Sequence, residues 1–462
     1  VVDKSAVADA IDIDAIMRKA VREAEKGAGL SSVLLRRDSF AESAVSTGSL
    51  CVDKILGGGI PGGRIVGISG PERSGKTLLA TQIGFNQAAE GRYLQYMDAE
   101  GSTDPIFLNA RGIDFNKYRG KRNKAGELKP GEVDFVNFYQ PSTVEEFANY
   151  IHLLSNLVPE NRNPLKPFCI YVLDSVVALI TDDIDSDILD SNKIAMHAKA
   201  YSTYLPVINT DLVKSGSTLI YVNQLRQRPM AKFESPVYEP CGDALKFFAS
   251  ARMMLGPTKP KIDDADHPFL DKESISGLAP REGGVWEEKH IDAQGNFLGM
   301  DKYIYTGIKT VKNKMFTPFQ KCWIRIQFEE NGSTGHGLDS VFDVFTFLFE
   351  EGYIAANKTR GKKGRFEAFS CDQFDPVNEL DMPNDFDYYE FKQWVNKNPN
   401  LISILRKKLL LSGIVYTKEE TNRIEENNRR DAEETQKTLE EVEKVGVEEV
   451  IEKKAGRPAK KK

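Results

Sequence analysis

Arg64-Ile65-Val66-Gly67-Ile68-Ser69, then Gly70-Pro71-Glu72-Arg73-Ser74-Gly75-Lys76-Thr77, then the helical pattern Leu78 to Ala89: this stretch decides the fold. The apolar run predicts a strand, and the octapeptide matches G-x-x-x-x-G-K-[ST] between strand and helix, where a phosphate-cradling loop has to sit. Its glycines let backbone N–H groups wrap phosphates at a helix N-terminus. Lys76 supplies charge to the β- and γ-phosphates, and Thr77 offers a hydroxyl ligand to Mg²⁺. A chance Gly-rich turn rarely has both flanks correct.

Working outward, Tyr93 to Met97, Phe135 to Tyr139, Phe168 to Leu173, Thr218 to Val222 and Ala251 to Leu255 are further short β-rich runs separated by helical patterns. Strands alternating with helices predict an α/β core around a largely parallel sheet. The run Phe168 to Leu173 ends in Asp174, a carboxylate suited to holding the metal through water. Alone, a strand-terminal Asp reads as a helix cap; the upstream phosphate loop reverses that preference. Glu100, just after the strand Tyr93 to Met97, is a further carboxylate able to polarise a water, although alone it reads as a solvated loop residue.

The chain has 462 residues, 28% charged and 40% hydrophobic, with a net charge of −6. Such a composition folds, and no apolar run reaches the ~20 residues that span a bilayer. With no signal-like opening segment, a cytoplasmic location, in a bacterial or phage-infected cell, is expected. The acidic balance argues against bulk attraction to nucleic acid, so partners have to be argued from local sites. Cys51, Cys169, Cys241, Cys322 and Cys371 are scattered, without a metal-ligand spacing, and read as reduced, mostly buried thiols.

Four regions are expected: a segment 1–40 with an amphipathic helix marked by Ile13, Ile16, Met17, Ala20 and Val21; the core, 41–330; a small C-terminal α+β domain, 331–417; and a charged tail, 418–462. Residues 117–132 and 256–301 break the strand–helix rhythm and read as surface insertions.

Ser46-Thr47-Gly48-Ser49-Leu50, Gly70 to Thr77, Asp98-Ala99-Glu100, Asn223-Gln224, Ala244-Leu245-Lys246-Phe247-Phe248-Ala249-Ser250 and Val311-Lys312-Asn313-Lys314 occur in the order found in the RecA family. The chain resembles a bacterial-type RecA recombinase, with a phage-encoded one included, from about Ile13 to Leu411 outside the insertions. The resemblance implies a RecA-like ATPase core using ATP and Mg²⁺. Glu100 then matches the glutamate that activates water. Asp104 and Phe107 match the segment that holds adenine, with Phe107 in place of a stacking Tyr. Gln224 matches the glutamine that senses the γ-phosphate and signals to the second DNA-binding loop. Lys312 and Lys314 resemble paired lysines that reach a neighbouring subunit's ATP, although a solvated Lys-Asn-Lys turn is the commoner fate of such a tripeptide.

The resemblance also places a first DNA-binding loop near 182–199 and a second between Leu225 and Gly242, where Arg226, Arg228, Met230, Lys232, Phe233 and Gly242 are candidate contacts. Cys241 stands where a Gly is usual and Asp243 where an Asn is usual. Lys246, Phe247 and Arg252 match positions at a subunit interface, and the N-terminal helix resembles a segment packing on the adjacent subunit. A head-to-tail interface of this kind generates a helical filament. The implied function is homologous pairing and strand exchange on single-stranded and duplex DNA, with a single-strand-binding protein and loading mediators as further partners. Gly456-Arg457-Pro458 among lysines resembles a minor-groove hook, a motif more often merely solvated. Rival readings are a ring-forming RecA-fold helicase, a clock-type ATPase, and a regulatory DNA-binding module without catalysis.

Overall fold

The structure is a computed structural model that describes residues 44–103, 108, 113, 115–124, 129, 134–157, 169–182, 192–227, 237–257, 286–291, 297–330, 333–357, 365–371 and 374–410. All of them fall in the compact unit Ser39–Ile414. The predicted N-terminal helix and the tail 418–462 lie outside the described residues.

The chain enters through a short helix α1 (Leu50–Leu56) and then builds strand β1 (Ile65–Gly70), helix α2 (Lys76–Ala89), β2 (Tyr93–Asp98), β3 (Val136–Tyr139), helix α3 (Val144–Asn156), β4 (Cys169–Asp174), helix α4 (Asn192–Ser215) and β5 (Thr218–Gln224). A two-residue ladder follows, β6 (Arg226–Gln227) with β7 (Val237–Tyr238), then helix α5 (Asp243–Phe248) and β8 (Ala251–Pro257). These strands form a parallel sheet in the order β3-β2-β4-β5-β1-β8. Their buried, β-branched-rich sequences suit strands covered on both faces. On β1, Val66 and Ile68 join one core with α2, whereas Ile65 joins the other with α3, α4 and α5. Helix α3 starts on a reciprocal capping box, Thr143 with Glu146.

Beyond β8 the sheet turns antiparallel through β9 (Trp286–Ile291), β10 (Phe297–Asn313), β11 (Lys321–Glu330) and β12 (Ser333–Leu338). Strands β9 and the start of β10 lie inside the stretch 256–301 read as an insertion, so that stretch carries a hairpin on the sheet's edge. Within 117–132 the described residues include the end of a 3-10 turn, Phe115–Tyr118. Four cysteines are buried, as expected of structural thiols, and Cys371 is exposed.

Helix α6 (Ser340–Glu350) begins at Asp339, whose side chain accepts from the Phe342 N–H. It packs Phe345 edge-on against Phe366, Tyr388 and Phe391 of the last elements: a small sheet β13-β14-β15 (Ile354–Ala356, Arg365–Ala368, Asp385–Asp387), α7 (Pro376–Leu380), α8 (Tyr388–Lys397) and α9 (Leu401–Leu405). A π-helical turn, Arg406–Leu410, follows. Arg406 reaches back to the opposite end of the described chain. Its guanidinium donates to the carbonyls of Gly58 and Ala44 and pairs with the buried Asp53 at 3.0 Å. Asp53 also accepts from the Thr47 N–H and from the Ser46 and Thr47 hydroxyls, so this carboxylate organises the loop that leads into α1.

Candidate functional site

Parallel strands bring their C-terminal ends to one edge of the sheet, and loops leaving that edge carry most of the predicted site. Gly70 closes β1 opposite Gln224 at the end of β5, and Asp98 closes β2 opposite Asp174 at the end of β4. Between β1 and α2 the loop 71–75 makes a tight cradle. Arg73 and Gly75 both have positive φ, 59° and 85°. At Gly70 a Cβ would lie 2.6 Å from the Leu255 backbone carbonyl, so the sheet's packing excludes a side chain there, and at Gly75 the left-handed φ of 85° is what favours glycine. Ser74 Oγ and Lys76 Nζ both donate to the Pro71 carbonyl, at 2.8 and 2.6 Å. Lys76 is buried, and that burial pulls its ammonium below the usual lysine range against the opposing pull of Asp174, Glu100 and Glu72. A lysine so placed is short of counter-charge, which a phosphate would supply.

Asp174 is buried beside Thr77, whose hydroxyl it holds, and it accepts from Tyr96 OH at 3.2 Å. Burial first, and then the neighbouring Glu100 and Asp98, push its carboxyl up to about 6 despite these hydrogen bonds. Glu100 is exposed at the mouth of the edge and accepts from Ser175 Oγ at 2.6 Å. Ser175 and Tyr96 were silent in the sequence: one simply follows the metal-type Asp, and the other sits in an apolar strand where a tyrosine reads as core. Asp98 accepts from the Thr103 N–H at 2.7 Å.

The structure therefore brings Gly70 to Thr77, Glu100, Asp174 and Gln224 to one edge. Asp104 and Phe107 lie outside the described residues, as do Arg228, Met230, Lys232 and Phe233 and most of 182–191. Arg226 is exposed on β6, and Gly242 precedes α5 with φ 80°. Lys312 and Lys314 lie elsewhere. Asn313 is paired with Ala251 at the start of β8, and the Lys314 N–H donates to the Ser250 carbonyl. Lys312 Nζ donates to the carbonyls of Lys246 and Phe247 at 2.6 and 2.9 Å, a cation on the C-terminal end of α5. Lys314 Nζ stands 5.9 Å from the Phe247 ring centroid, and that ring is 71% exposed. Burial and then the charges of Lys314 and Arg252 lower the pKa of Lys312. Arg252 is largely buried in an ion pair with Glu239 at 2.5 Å.

Comparison with known proteins agrees with this layout. The model of the RecA N-terminal domain matches residues 15–130 and 166–267. A Protein RecA from Rubrobacter xylanophilus is 34% identical over 325 residues, covering 70% of this chain and 77% of its own length. The chain belongs to the RecA family. A second relative, the Protein RecA of Nocardia farcinica, is 29% identical over 368 residues, 79% of this chain and 85% of the relative. A crystal structure of the RadB recombinase aligns with 62% of this chain and 97% of its own at 19% identity and a TM-score of 0.36, too loose to add to the sequence matches. As a RecA-family recombinase, the chain acts in DNA recombination and repair. The family shares ATP as its nucleotide, which suits the cradle on the β1 edge.

Proposed function

We propose that this RecA-family chain is a DNA-dependent ATPase that assembles head to tail on single-stranded DNA and catalyses homologous pairing and strand exchange. The observation that carries this reading is the separation of its cations: Lys76 lies where β1 ends, whereas Lys312 and Lys314 lie where β8 begins. A parallel strand of this length runs about 20 Å. The lysine pair thus faces away from its own phosphate loop and shares a patch with the exposed Phe247. Cations so placed serve ATP only when a neighbour brings it, as an arginine finger does in trans.

In this reading the backbone of 70–75 and Lys76 hold the β- and γ-phosphates, with Nζ turning from the Pro71 carbonyl to phosphate oxygen. Thr77 and Asp174 are an oxygen-only donor pair already in contact, a set that fits Mg²⁺, and the ion would neutralise phosphate charge there. Glu100, held by Ser175, takes the proton of the attacking water. Gln224, opposite Gly70, donates to the γ-phosphate and reports its presence to the segment that follows β5. ATP binding favours the extended DNA-bound state, and hydrolysis releases it. Single-stranded DNA, duplex DNA, a single-strand-binding protein and loading mediators are the partners of this reading, and the bacterial cytoplasm or a phage-infected cell is its setting.

Electron micrographs of the full chain with ATP and single-stranded DNA test it. Helical filaments are expected, together with phosphate release that depends on DNA and is lost in Lys76→Ala. Closed rings would favour the helicase or clock-type reading, and filaments without phosphate release would favour a regulatory DNA-binding module.

A further inference from the structure

Tyr96 lies in the buried middle of β2, yet its hydroxyl ties that strand to two other elements. Successive strand residues point to opposite faces, so Met97 joins the core with α3 and α4 whereas Tyr96 joins the one with α2. Its ring packs against that of Phe138, with centroids 5.4 Å apart, and none of the residue is exposed. A phenylalanine would fill this space without the cost of burying a hydroxyl, so the hydroxyl has to be explained by what it bonds.

Its partners are Asp174 Oδ2 on β4 and Thr81 Oγ1 on α2, each at 3.2 Å, and both residues are buried. Thr81 donates its one proton to the Thr77 carbonyl at 2.6 Å, an ordinary bond for a helical threonine, and so can only accept on the side of Tyr96. Tyr96 therefore carries one proton for two acceptors, and an ionised carboxylate draws it more strongly than a hydroxyl does. Asp174 in turn holds the Thr77 hydroxyl. The four residues close a ring of polar contacts: Thr77 to Asp174, Asp174 to Tyr96, Tyr96 to Thr81, and Thr81 back to Thr77. The ring joins β2, β4 and the first turns of α2, and it grips Thr77 twice, by its hydroxyl and by its carbonyl. Turning the Asp174 carboxylate away leaves a buried polar group without its partner, which costs more than breaking the same bond at the surface.

We propose that Tyr96, with Thr81, is a positioning residue that fixes the spacing of the Thr77 and Asp174 oxygens and so makes the nucleotide site select Mg²⁺ over Ca²⁺. The inference rests on the proposed reading of Thr77 and Asp174 as the residues that hold the metal. Partners of this kind orient the ligands without touching the ion. An Mg²⁺ shell is nearly octahedral with oxygens at about 2.0–2.1 Å, whereas Ca²⁺ accepts about 2.3–2.6 Å and irregular geometry. A donor pair that cannot spread suits the smaller ion, and a pair freed to spread loses that preference.

The test compares the full-length chain with Tyr96→Phe, Thr81→Val and Thr81→Ser. Binding of a non-hydrolysable ATP analogue is titrated against Mg²⁺ and, separately, against Ca²⁺, so the readout needs no turnover. In Tyr96→Phe the Mg²⁺ concentration for half-maximal binding is expected to rise about tenfold, while the Ca²⁺ concentration stays within about threefold. Thr81→Val is expected to raise the Mg²⁺ midpoint about fivefold, and Thr81→Ser, which keeps the hydroxyl, to leave both midpoints in place. A merely structural role would lower the unfolding midpoint and shift the two ions alike. An unchanged ratio of the Mg²⁺ and Ca²⁺ midpoints in cooperatively unfolding Tyr96→Phe would overturn the proposal. Should Tyr96→Phe fail to fold, Thr81→Val beside Thr81→Ser decides, and an unchanged ratio in both would overturn it equally. Analogue binding that needs no divalent ion in the unaltered chain would overturn the metal reading of Thr77 and Asp174 first, and this inference with it.

Discussion

Ser175 Oγ donates to Glu100 Oε1 at 2.6 Å, joining residues 75 apart in the chain at the edge where β2 and β4 end. The bond engages one carboxylate oxygen, Oε1, and in the proposed mechanism the carboxylate takes the proton of the attacking water. Glu100→Gln keeps the size but not the basicity, so hydrolysis is expected to fall about a hundred- to ten-thousand-fold while ATP affinity stays within about threefold. Ser175→Ala is expected to lower the turnover number by a smaller factor, about tenfold, because the base is retained and only its orientation loosens. Single-turnover phosphate release beside nucleotide titration separates these effects. A Glu100→Gln protein that no longer binds ATP would make Glu100 a binding residue.

The placement of Lys312 and Lys314 on the far end of the sheet makes a complementation experiment decisive. Lys312→Ala/Lys314→Ala should abolish DNA-stimulated hydrolysis although each subunit keeps its own phosphate loop. Mixed on DNA with Glu100→Gln protein, it should regain part of the activity, since some interfaces then join an intact glutamate to an intact lysine pair. Co-assembly without recovery at any mixing ratio contradicts action in trans.

Asp343 on α6 gives a pH signature unrelated to the nucleotide site. Its carboxylate accepts the Ser49 hydroxyl and the Leu50 and Cys51 N–H groups, and so caps α1 from another helix. Burial pushes its carboxyl up to about 6 against these hydrogen bonds. The folded state therefore holds this proton where the unfolded chain, near pH 4, has released it. Folding binds a proton between about pH 4 and pH 6, and this group's contribution to stability falls as pH rises through that window. Asp343→Asn is expected to flatten the fall, which amounts to about 3 kcal/mol for a shift of this size. Urea unfolding at pH 4.5, 5.5 and 6.5 reads the slope directly, and an unchanged slope in the variant assigns it elsewhere.

Arg325 and Asp339 form a buried ion pair at 2.5 Å, with the guanidinium 4.5 Å from the Tyr303 ring centroid and 5.2 Å from that of Phe342. Asp339 also starts α6, so it cannot turn away to water. Arg325→Met should cost about 3–5 kcal/mol because it leaves that carboxylate buried and unpaired. Arg325→Met/Asp339→Asn should recover part of the loss. Midpoints of denaturant unfolding check both, and equal stability of the single and double variants would deny the pairing its role.

The parallel strands were legible because each is a short apolar run closed by turn residues, and burial on both faces demands that pattern. The phosphate loop was legible because its conformation needs glycine at fixed positions: Gly70 is closed to a side chain by the Leu255 carbonyl, and Gly75 has a left-handed φ. Strand β9 was not, since half of Trp286-Glu287-Glu288-Lys289-His290-Ile291 is charged and it is a strand by virtue of its pairing with β10. Glu239 was invisible for a related reason. Between a Tyr and a Pro it reads as a solvated loop residue, and its meaning comes from Arg252 on the next strand and from Ser69, 170 residues earlier. Pairwise chemistry across such separations leaves no local periodicity to detect.

Arg406 sets a floor for shortening the chain. Its guanidinium is the cation beside Asp53, whose carboxylate is wholly buried and anchors the turn entering α1. A fragment that stops before residue 406 abandons that charge inside the protein, at a distance of more than three hundred residues from the cut. Loss of function in such a fragment would report a damaged entry to the RecA-like core, whatever the deleted residues do. A chain ending just after Leu410 keeps the anchor, and only a deletion of that kind isolates what residues 411–462 contribute.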